Sequence, residues 1–193
     1  MVMAQFEIFR HHSRRSSSGI EYRVVSHSSF GPNYGTMPDP EILKSLKDNA
    51  FFGELSEDTG NFLAEHATRR QLASGKLLFR HGEPARHFFL VLEGHVALEI
   101  PAIEGPTLEL QDIGPGRVTG WSWLIPPNRW HFQARARTDV TCLEFDGAAI
   151  FERCEADPRF GYELLKRFSK LMSERLDFAR QKMMQEWKPA GFA

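Results

Sequence analysis

The sequence predicts a mainly β protein: a jelly-roll-like β-roll, or double-stranded β-helix, with short helices before it and one long helix after it. Seven short apolar segments between residues 68 and 145 are separated by Gly and Pro turns, and several of them alternate apolar and polar residues. Residues 41–66 and 146–187 carry the wider apolar spacing of helices. These patterns place the roll at 68–145 and helices on both sides of it.

Two short helices are predicted ahead of the roll. The segment EILKSLKD brings Ile42, Leu43 and Leu46 to one side of a helix. Ser56 is a suitable N-cap for the second helix, because its hydroxyl can accept a hydrogen bond from a free backbone N–H in the first turn. Glu57 then lies where the helix dipole favours a negative charge.

The first forty residues have a different character from the rest of the chain. HHSRRSSSG is polar and FGPNYGTMPDP is dense in Gly and Pro, so this stretch cannot bury enough apolar surface to offset the entropy of ordering. We predict a disordered tail over residues 1–40 and one domain over residues 41–187. A translation start at Met37 is an alternative reading of the same stretch.

The bulk properties favour a cytoplasmic protein that binds neither nucleic acid nor membrane. The formal net charge is −1, so a global basic field for an anionic polymer or surface is absent. No run approaches the 18 apolar residues that indicate a transmembrane helix. The two cysteines, Cys142 and Cys154, form no C-x-x-C pair and are expected to be buried thiols.

The end of the chain predicts a dimerising helix. Asp146 can cap a first helix and Pro158 can begin a second that runs to about Trp187. About thirty residues give a helix of roughly 45 Å, which is longer than a small roll can cover. We therefore expect a homodimer through an apolar stripe with coiled-coil spacing, made of Leu165, Phe168, Met172, Leu176, Ala179 and Met183. The charged residues between them are interpreted as a solvated face, namely Lys166, Arg167, Glu174 and Arg175.

No catalytic or metal site is predicted, and the chain is not expected to be an enzyme. The sequence contains no G-x-S-x-G, P-loop or H-E-x-x-H motif. His81, His87 and Glu93 loosely resemble cupin ligands, but the two histidines are six residues apart and lack the H-x-H spacing that turns two imidazoles to one face of a strand. Solvated turn histidines are the simpler interpretation.

Three stretches give the pattern a family resemblance, and the third of them is the terminal helix pair, which in the family lies against the roll and dimerises. KLLFRHGEPARHFFLVLEGHVAL, residues 76–98, resembles the early strands of cyclic-nucleotide-binding domains, with Gly82 and Gly94 at tight turns. IGPGRVTGWSWLIPPNRWHFQARA, residues 113–136 and below "the cassette", resembles the phosphate-binding cassette of the same family. The chain is therefore identified as a member of that family, of the catabolite-activator-like kind, over residues 41–186. It is expected to stand alone without a helix-turn-helix.

The cassette departs from the family pattern at its two polar anchors. In the family a glutamate holds the ribose and an arginine pairs with the cyclic phosphate, and here Trp121 and Trp130 stand at those positions. The Gly-rich turn should still lead into a short helix whose backbone N–H groups form a generic anion site. The candidate ligand-binding residues are Gly116, Gly120, Trp121, Ser122, Trp123, Leu124, Arg129, Trp130 and His131.

Two functional interpretations follow from the resemblance. One is a non-catalytic regulatory or sensor module with altered or lost nucleotide specificity, which acts on a separate effector protein. The other is an accessory subunit of a larger regulatory or redox complex, with no small-molecule ligand. No cofactor is expected, and cyclic nucleotide is kept only as an alternative ligand. The tryptophans either line a functional pocket or plug it and rebuild the core.

Overall fold

The computed structural model describes residues 38–101 and 107–187, and most of the predicted tail lies outside them. The described elements follow the order that the sequence predicts, with short helices first, then strands and then helices. In chain order they are α1 (Pro40–Lys47), α2 (Glu57–Glu65), β1 (Ala67–Leu72), β2 (Leu77–Phe79), β3 (His87–Glu93), β4 (Val96–Ile100), β5 (Leu108–Ile113), β6 (Val118–Thr119), β7 (Gln133–Ala136), β8 (Val140–Asp146), α3 (Gly147–Ala156) and α4 (Pro158–Trp187).

The strands form two antiparallel sheets of four, which confirms the predicted β-roll with flanking helices. One sheet has the order β1-β8-β3-β6 and the other the order β2-β7-β4-β5. Strand β8 shows why these segments become strands: Val140, Cys142, Leu143 and Phe145 are buried within seven residues. Strand β6 was not predicted, because two residues are too few to show an alternating pattern.

Stacked aromatic rings hold the first sheet against the helices. Phe88 of β3 lies almost parallel to Phe145 of β8, with ring centroids 4.4 Å apart and an angle of 4° between the rings. Phe52 stacks on Phe145 at 5.4 Å, and Phe168 of α4 meets Phe88 edge-on at 5.2 Å. One aromatic cluster therefore joins both strands to α4.

The predicted helix caps are present. Ser56 caps α2, and its side-chain oxygen lies 3.4 Å from the backbone nitrogen of Thr59. Ser56 Oγ and Thr59 Oγ1 each donate a 2.9 Å hydrogen bond to Glu163 of α4. Burial raises the pKa of Glu163, but these hydrogen bonds outweigh it and leave the pKa below its usual value. The start of α2 is thereby tied to the long helix.

The long helix begins at Pro158 as predicted, but its buried face is rotated from the predicted stripe. Phe160, Leu164, Phe168 and Leu171 pack against the roll, and Phe168 is fully buried. Phe168 thus belongs to the core of the protomer, not to the exposed seam expected for a dimer. Core-facing and seam-facing residues of a helix differ only in their angular position around the helix axis. The packing of Phe168 against the aromatic cluster sets the rotation of α4 about that axis and so decides which residues face the roll.

The remaining stripe residues have different surroundings. Leu165, Leu176 and Met183 have exposed fractions of 49%, 71% and 59%. Met172 is half-buried and Ala179 is exposed. From Met172 onward these side chains border a cavity between α4 and the roll.

Candidate ligand-binding site

A cavity of about 550 Å³ lies between the cassette, the second sheet and the second half of α4. Its volume falls in the range of ordinary small-molecule sites, about 300–1,000 Å³. Its walls are mainly apolar, and their main residues are Phe79, Leu98, Leu108, Leu110, Gly120, Trp121, Trp130, Phe132, Met172, Leu176, Ala179 and Met183. Four predicted site residues therefore meet at this cavity, namely Gly120, Trp121, Ser122 and Trp130.

The glycine at position 120 allows a close approach between the cassette and a tryptophan ring. Gly120 has a φ of +89°, and a Cβ added to it would come within 3.0 Å of the Trp130 ring and 3.3 Å of the Phe88 Cα. Gly116 also has a positive φ, and its carbonyl accepts a 2.9 Å hydrogen bond from Asn49. Gly116 does not line the cavity, so only Gly120 shapes the wall.

The short helix predicted after Gly120 is not formed. Residues 122–127 make successive turns, closed by hydrogen bonds such as that from the backbone nitrogen of Leu124 to the carbonyl of Trp121 at 3.1 Å. Pro126 and Pro127 lack the backbone N–H groups that would continue a helix. The generic anion site at a helix N-terminus that we predicted here is therefore absent from the cassette.

Trp130, which the resemblance predicts at the position of the family's arginine, is a buried ring. Its exposed fraction is 5%, and it stacks on Phe79 with centroids 3.9 Å apart and an angle of 16°. It also lies 6.4 Å from Phe89, tilted by 36°. The ring forms part of the cavity wall but offers no positive charge to a phosphate.

Trp123 belongs to the core and not to the cavity. It stacks on Phe88 at 5.4 Å and meets Phe168 of α4 edge-on at 5.5 Å. Its exposed fraction is 4%, and its indole N–H has no hydrogen-bond partner among the described residues. Trp123 therefore fills core space between β3 and α4 and connects the cassette to α4. Leu124 is half-buried against the same core.

Trp121 is the tryptophan that borders the cavity with an incompletely buried ring. It stacks loosely on His131, with centroids 6.4 Å apart and an angle of 19°. His131 is exposed and does not line the cavity, whereas the buried Ser122 beside Trp121 does. The three cassette tryptophans thus divide into two wall residues and one core residue.

Arg129, one of the predicted ligand-binding residues, does not face the cavity. It is exposed, and its Nη1 donates a 2.8 Å hydrogen bond to the carbonyl of Gly82. The backbones of Arg129 and Pro84 form an isolated antiparallel bridge. Arg129 therefore fastens the loop to the turn before β3 and is not part of the cavity wall.

The two arginines downstream in sequence are engaged in ion pairs. Arg135 lies 3.3 Å from Glu99 and also donates to the carbonyl of Gly75 at 3.0 Å. Arg137 pairs with Glu109 and lies 3.5 Å from Asp112. Neither arginine lines the cavity.

Arg175 of α4 is a cavity residue that the sequence analysis assigned to a solvated face. Its Nη2 donates a 2.9 Å hydrogen bond to the carbonyl of Val118, and its Nη1 donates to the side-chain oxygen of Gln111. Its Nε is buried and has no partner among the described residues. Burial lowers the pKa of Arg175 to about 10, so the guanidinium is still charged at neutral pH.

The described residues hold neither a metal-binding cluster nor an activated thiol. Across 38–101 and 107–187, no group of three His, Cys, Asp or Glu side chains could hold a metal ion. Burial raises the pKa of both Cys142 and Cys154 to about 11, so neither thiol is an activated nucleophile at neutral pH. Among the described helices, none combines the length and the apolar character needed to span a bilayer.

Comparison with known proteins identifies the family. The model of the cyclic nucleotide-binding domain family matches residues 69–157. A structure named as a cyclic nucleotide-binding protein from Geobacter metallireducens GS-15 shares 25% identity at a TM-score of 0.63 and covers 69% of this chain and 96% of its own. A cyclic nucleotide-binding domain from Methylobacillus flagellatus KT shares 18% identity at a TM-score of 0.65 and covers 79% of this chain and 84% of its own.

A third similar structure comes from Trypanosoma brucei. It is a triple mutant of the regulatory subunit of a cAMP-independent protein kinase A, bound to cAMP, with 18% identity and a TM-score of 0.58. The similarity covers 74% of this chain and 49% of that one. No curated protein matches the chain significantly. With the match of the family model and the two four-stranded sheets that the structure shows, residues 69–157 form a domain that belongs to the cyclic nucleotide-binding domain family.

Proposed function

We propose that this chain is a non-catalytic regulatory module whose site does not bind cyclic AMP or cyclic GMP in the manner usual for its family. The observation that carries the proposal is Trp130, buried and stacked on Phe79 where the family places its phosphate-binding arginine. Trp121 likewise stands at the position of the ribose-binding glutamate and borders the cavity.

The proposal follows from the missing charges. A hydrogen bond to a charged group contributes about 1.5–3 kcal/mol, so loss of both anchors should weaken nucleotide binding by several kcal/mol. The two arginines closest to Trp130 in sequence, Arg129 and Arg135, do not replace the anchor, because Arg129 binds the carbonyl of Gly82 and Arg135 binds Glu99. The regulatory subunit from Trypanosoma brucei has this fold, and the kinase to which it belongs is named as cAMP-independent.

Calorimetric titration with cyclic AMP, cyclic GMP and cyclic di-GMP tests the proposal. We expect no submicromolar Kd for the cyclic mononucleotides in the wild-type protein. The double variant Trp121→Glu/Trp130→Arg restores both anchors and should bind cyclic AMP at least about tenfold more tightly than wild type. The variant Trp121→Gln/Trp130→Gln removes the same rings without adding charge and is the matched control, with folding of both checked by circular dichroism. Submicromolar binding of cyclic AMP by wild type would contradict the proposal.

We propose further that the module is a homodimer in the cytoplasm and that α4 forms the interface. Large apolar side chains on this helix face solvent in the protomer, with exposed fractions of 68% for Tyr162, 49% for Leu165 and 71% for Leu176. Such a surface on one helix fits a second copy of the same helix. A sensor of this kind would act on a separate effector chain, while an accessory subunit of a larger complex would use the same surface for another partner.

The oligomeric state tests the interface. Leu165→Asp/Leu176→Asp should convert dimers into monomers, because each introduces a charge into the apolar surface, and light scattering after size exclusion measures the mass. The control Lys166→Asp/Lys170→Asp adds the same two aspartates at exposed positions outside the stripe and should leave the dimer intact. A monomeric wild-type protein, or a dimer that survives the first pair of substitutions, would rule this interface out.

A further inference from the structure

The cavity combines an apolar interior with fixed positive charge. Leu98, Leu108 and Phe132 from the roll face Met172 and Leu176 from α4 across it. Two cationic side chains of α4 also line it, Arg175 and Lys182, and the Lys182 ammonium donates to the carbonyl of Glu109. An interior of this composition suits a ligand with a long apolar part and a single charged end.

Neutral groups hold the Arg175 guanidinium in place. Its two hydrogen-bond acceptors, the Gln111 side chain and the Val118 carbonyl, are neutral. None of the ion pairs formed among the described residues includes Arg175, and the neighbouring Glu174 pairs with Arg117 instead, at 3.7 Å. A half-buried cation with neutral partners is costly to desolvate, and an anion beside it offsets that cost.

Arg175 has hydrogen-bond donors beyond those that it uses on the protein. Its Nη1 and Nη2 donate to Gln111 and Val118, and each of these nitrogens carries a second N–H group that can bind an anion. A planar carboxylate matches a guanidinium edge better than it matches an ammonium. Thr119 and Ser122 add hydroxyl groups to the same wall, which can donate further hydrogen bonds to a carboxylate.

We propose that the cavity binds an amphipathic carboxylate, with its apolar body between the roll and α4 and its carboxylate at Arg175. This inference rests on the proposed function, because it assigns to the same cavity a ligand other than a cyclic mononucleotide. In this proposal the anion is bound by Arg175 of the long helix and not by the cassette, where Trp130 stands at the position of the family's arginine.

Wild-type protein and three simple probes test the charge preference. Octanoate, octanol and octylammonium share one apolar body and differ only at the head group. We expect calorimetry to give a Kd for octanoate at least about tenfold lower than for octanol, with octylammonium weakest. Equal affinity for octanoate and octanol, or no binding of octanoate, would overturn the proposal without any variant being made.

Variants on α4 then test the residue and the place. Arg175→Met keeps the apolar stem, and it should weaken octanoate about tenfold or more while leaving octanol unchanged. Arg180→Met removes a charge from an exposed position of the same helix and is the matched control. Ala179→Trp should fill the cavity and abolish binding of both probes. Octanoate binding that survives Arg175→Met or Ala179→Trp in folded protein would place the ligand elsewhere and overturn the proposal.

The two proposals fail in different ways. Submicromolar cyclic AMP binding contradicts the proposed function, whatever octanoate does. Absence of octanoate binding contradicts only the carboxylate assignment and leaves the nucleotide result as it stands. Cyclic AMP should therefore be titrated against the same Arg175→Met protein, where an unchanged weak response is expected.

Discussion

Replacing Phe88 with alanine is expected to lower the free energy of unfolding by about 3–5 kcal/mol. Phe88 is fully buried and contacts Phe145, Trp123 and Phe168. Its loss opens a cavity at the point where both strands, the cassette and α4 meet, so little of the neighbouring structure can collapse into the space.

Equilibrium unfolding in urea measures the effect. Phe151→Ala in α3 is the matched control, because it removes the same side chain from a site with an exposed fraction of 41%. That control should change the free energy of unfolding by less than about 1 kcal/mol. Equal losses at the two positions would mean that the aromatic cluster is not the centre of the core.

Replacing Gly94 with alanine is expected to cost about 3 kcal/mol or more. Gly94 joins β3 to β4 with a φ of +79°, and an added Cβ would lie 2.1 Å from the carbonyl oxygen of Asp139. That oxygen belongs to the backbone of the turn before β8, so the clash can be relieved only by moving a strand.

A second glycine separates the clash from the backbone strain. Gly82 has nearly the same φ, +80°, but an added Cβ would meet nothing within 4 Å. Gly82→Ala should therefore show only the cost of the left-handed conformation, about 1–2 kcal/mol. Equal stability of the two variants in thermal unfolding would contradict the close approach of Gly94 to the Asp139 carbonyl.

Most of the fold could be predicted because its signals are local. Alternating apolar residues between Gly and Pro turns mark the strands, and polar caps mark the helices. Asp146 illustrates this, since its carboxylate accepts a 3.0 Å hydrogen bond from the backbone of Ala148 at the start of α3. Pro158 marks the beginning of α4 equally well, because proline is suited to the first turn of a helix.

The candidate site was less predictable because its geometry depends on contacts between distant elements. The sequence shows which residues of α4 share a face, but the packing of Phe168 decides which face meets the roll. That rotation brings Arg175 to the cavity wall and leaves Leu165 exposed. A cation three residues after Met172, within an apolar stripe, was the only local signal for Arg175, and it equally fits a solvated face.

The cassette was misjudged for a related reason. Its glycines suggested a helix N-terminus, whereas two consecutive prolines favour the turns that the structure shows at 122–127. The resemblance predicts Trp121 and Trp130 at the positions of the two anchors, but it could not distinguish Trp123, which packs in the core, from Trp121, which borders the cavity.

The crowding of tryptophans in the cassette has a spectroscopic consequence. Three of the four tryptophans of the chain, at positions 121, 123 and 130, lie within ten residues of sequence. Trp123 and Trp130 are almost completely shielded from water, which favours short-wavelength emission, whereas Trp121 borders the open cavity. The intrinsic emission of this protein is therefore dominated by its candidate site, which makes the site its own optical reporter without an added dye.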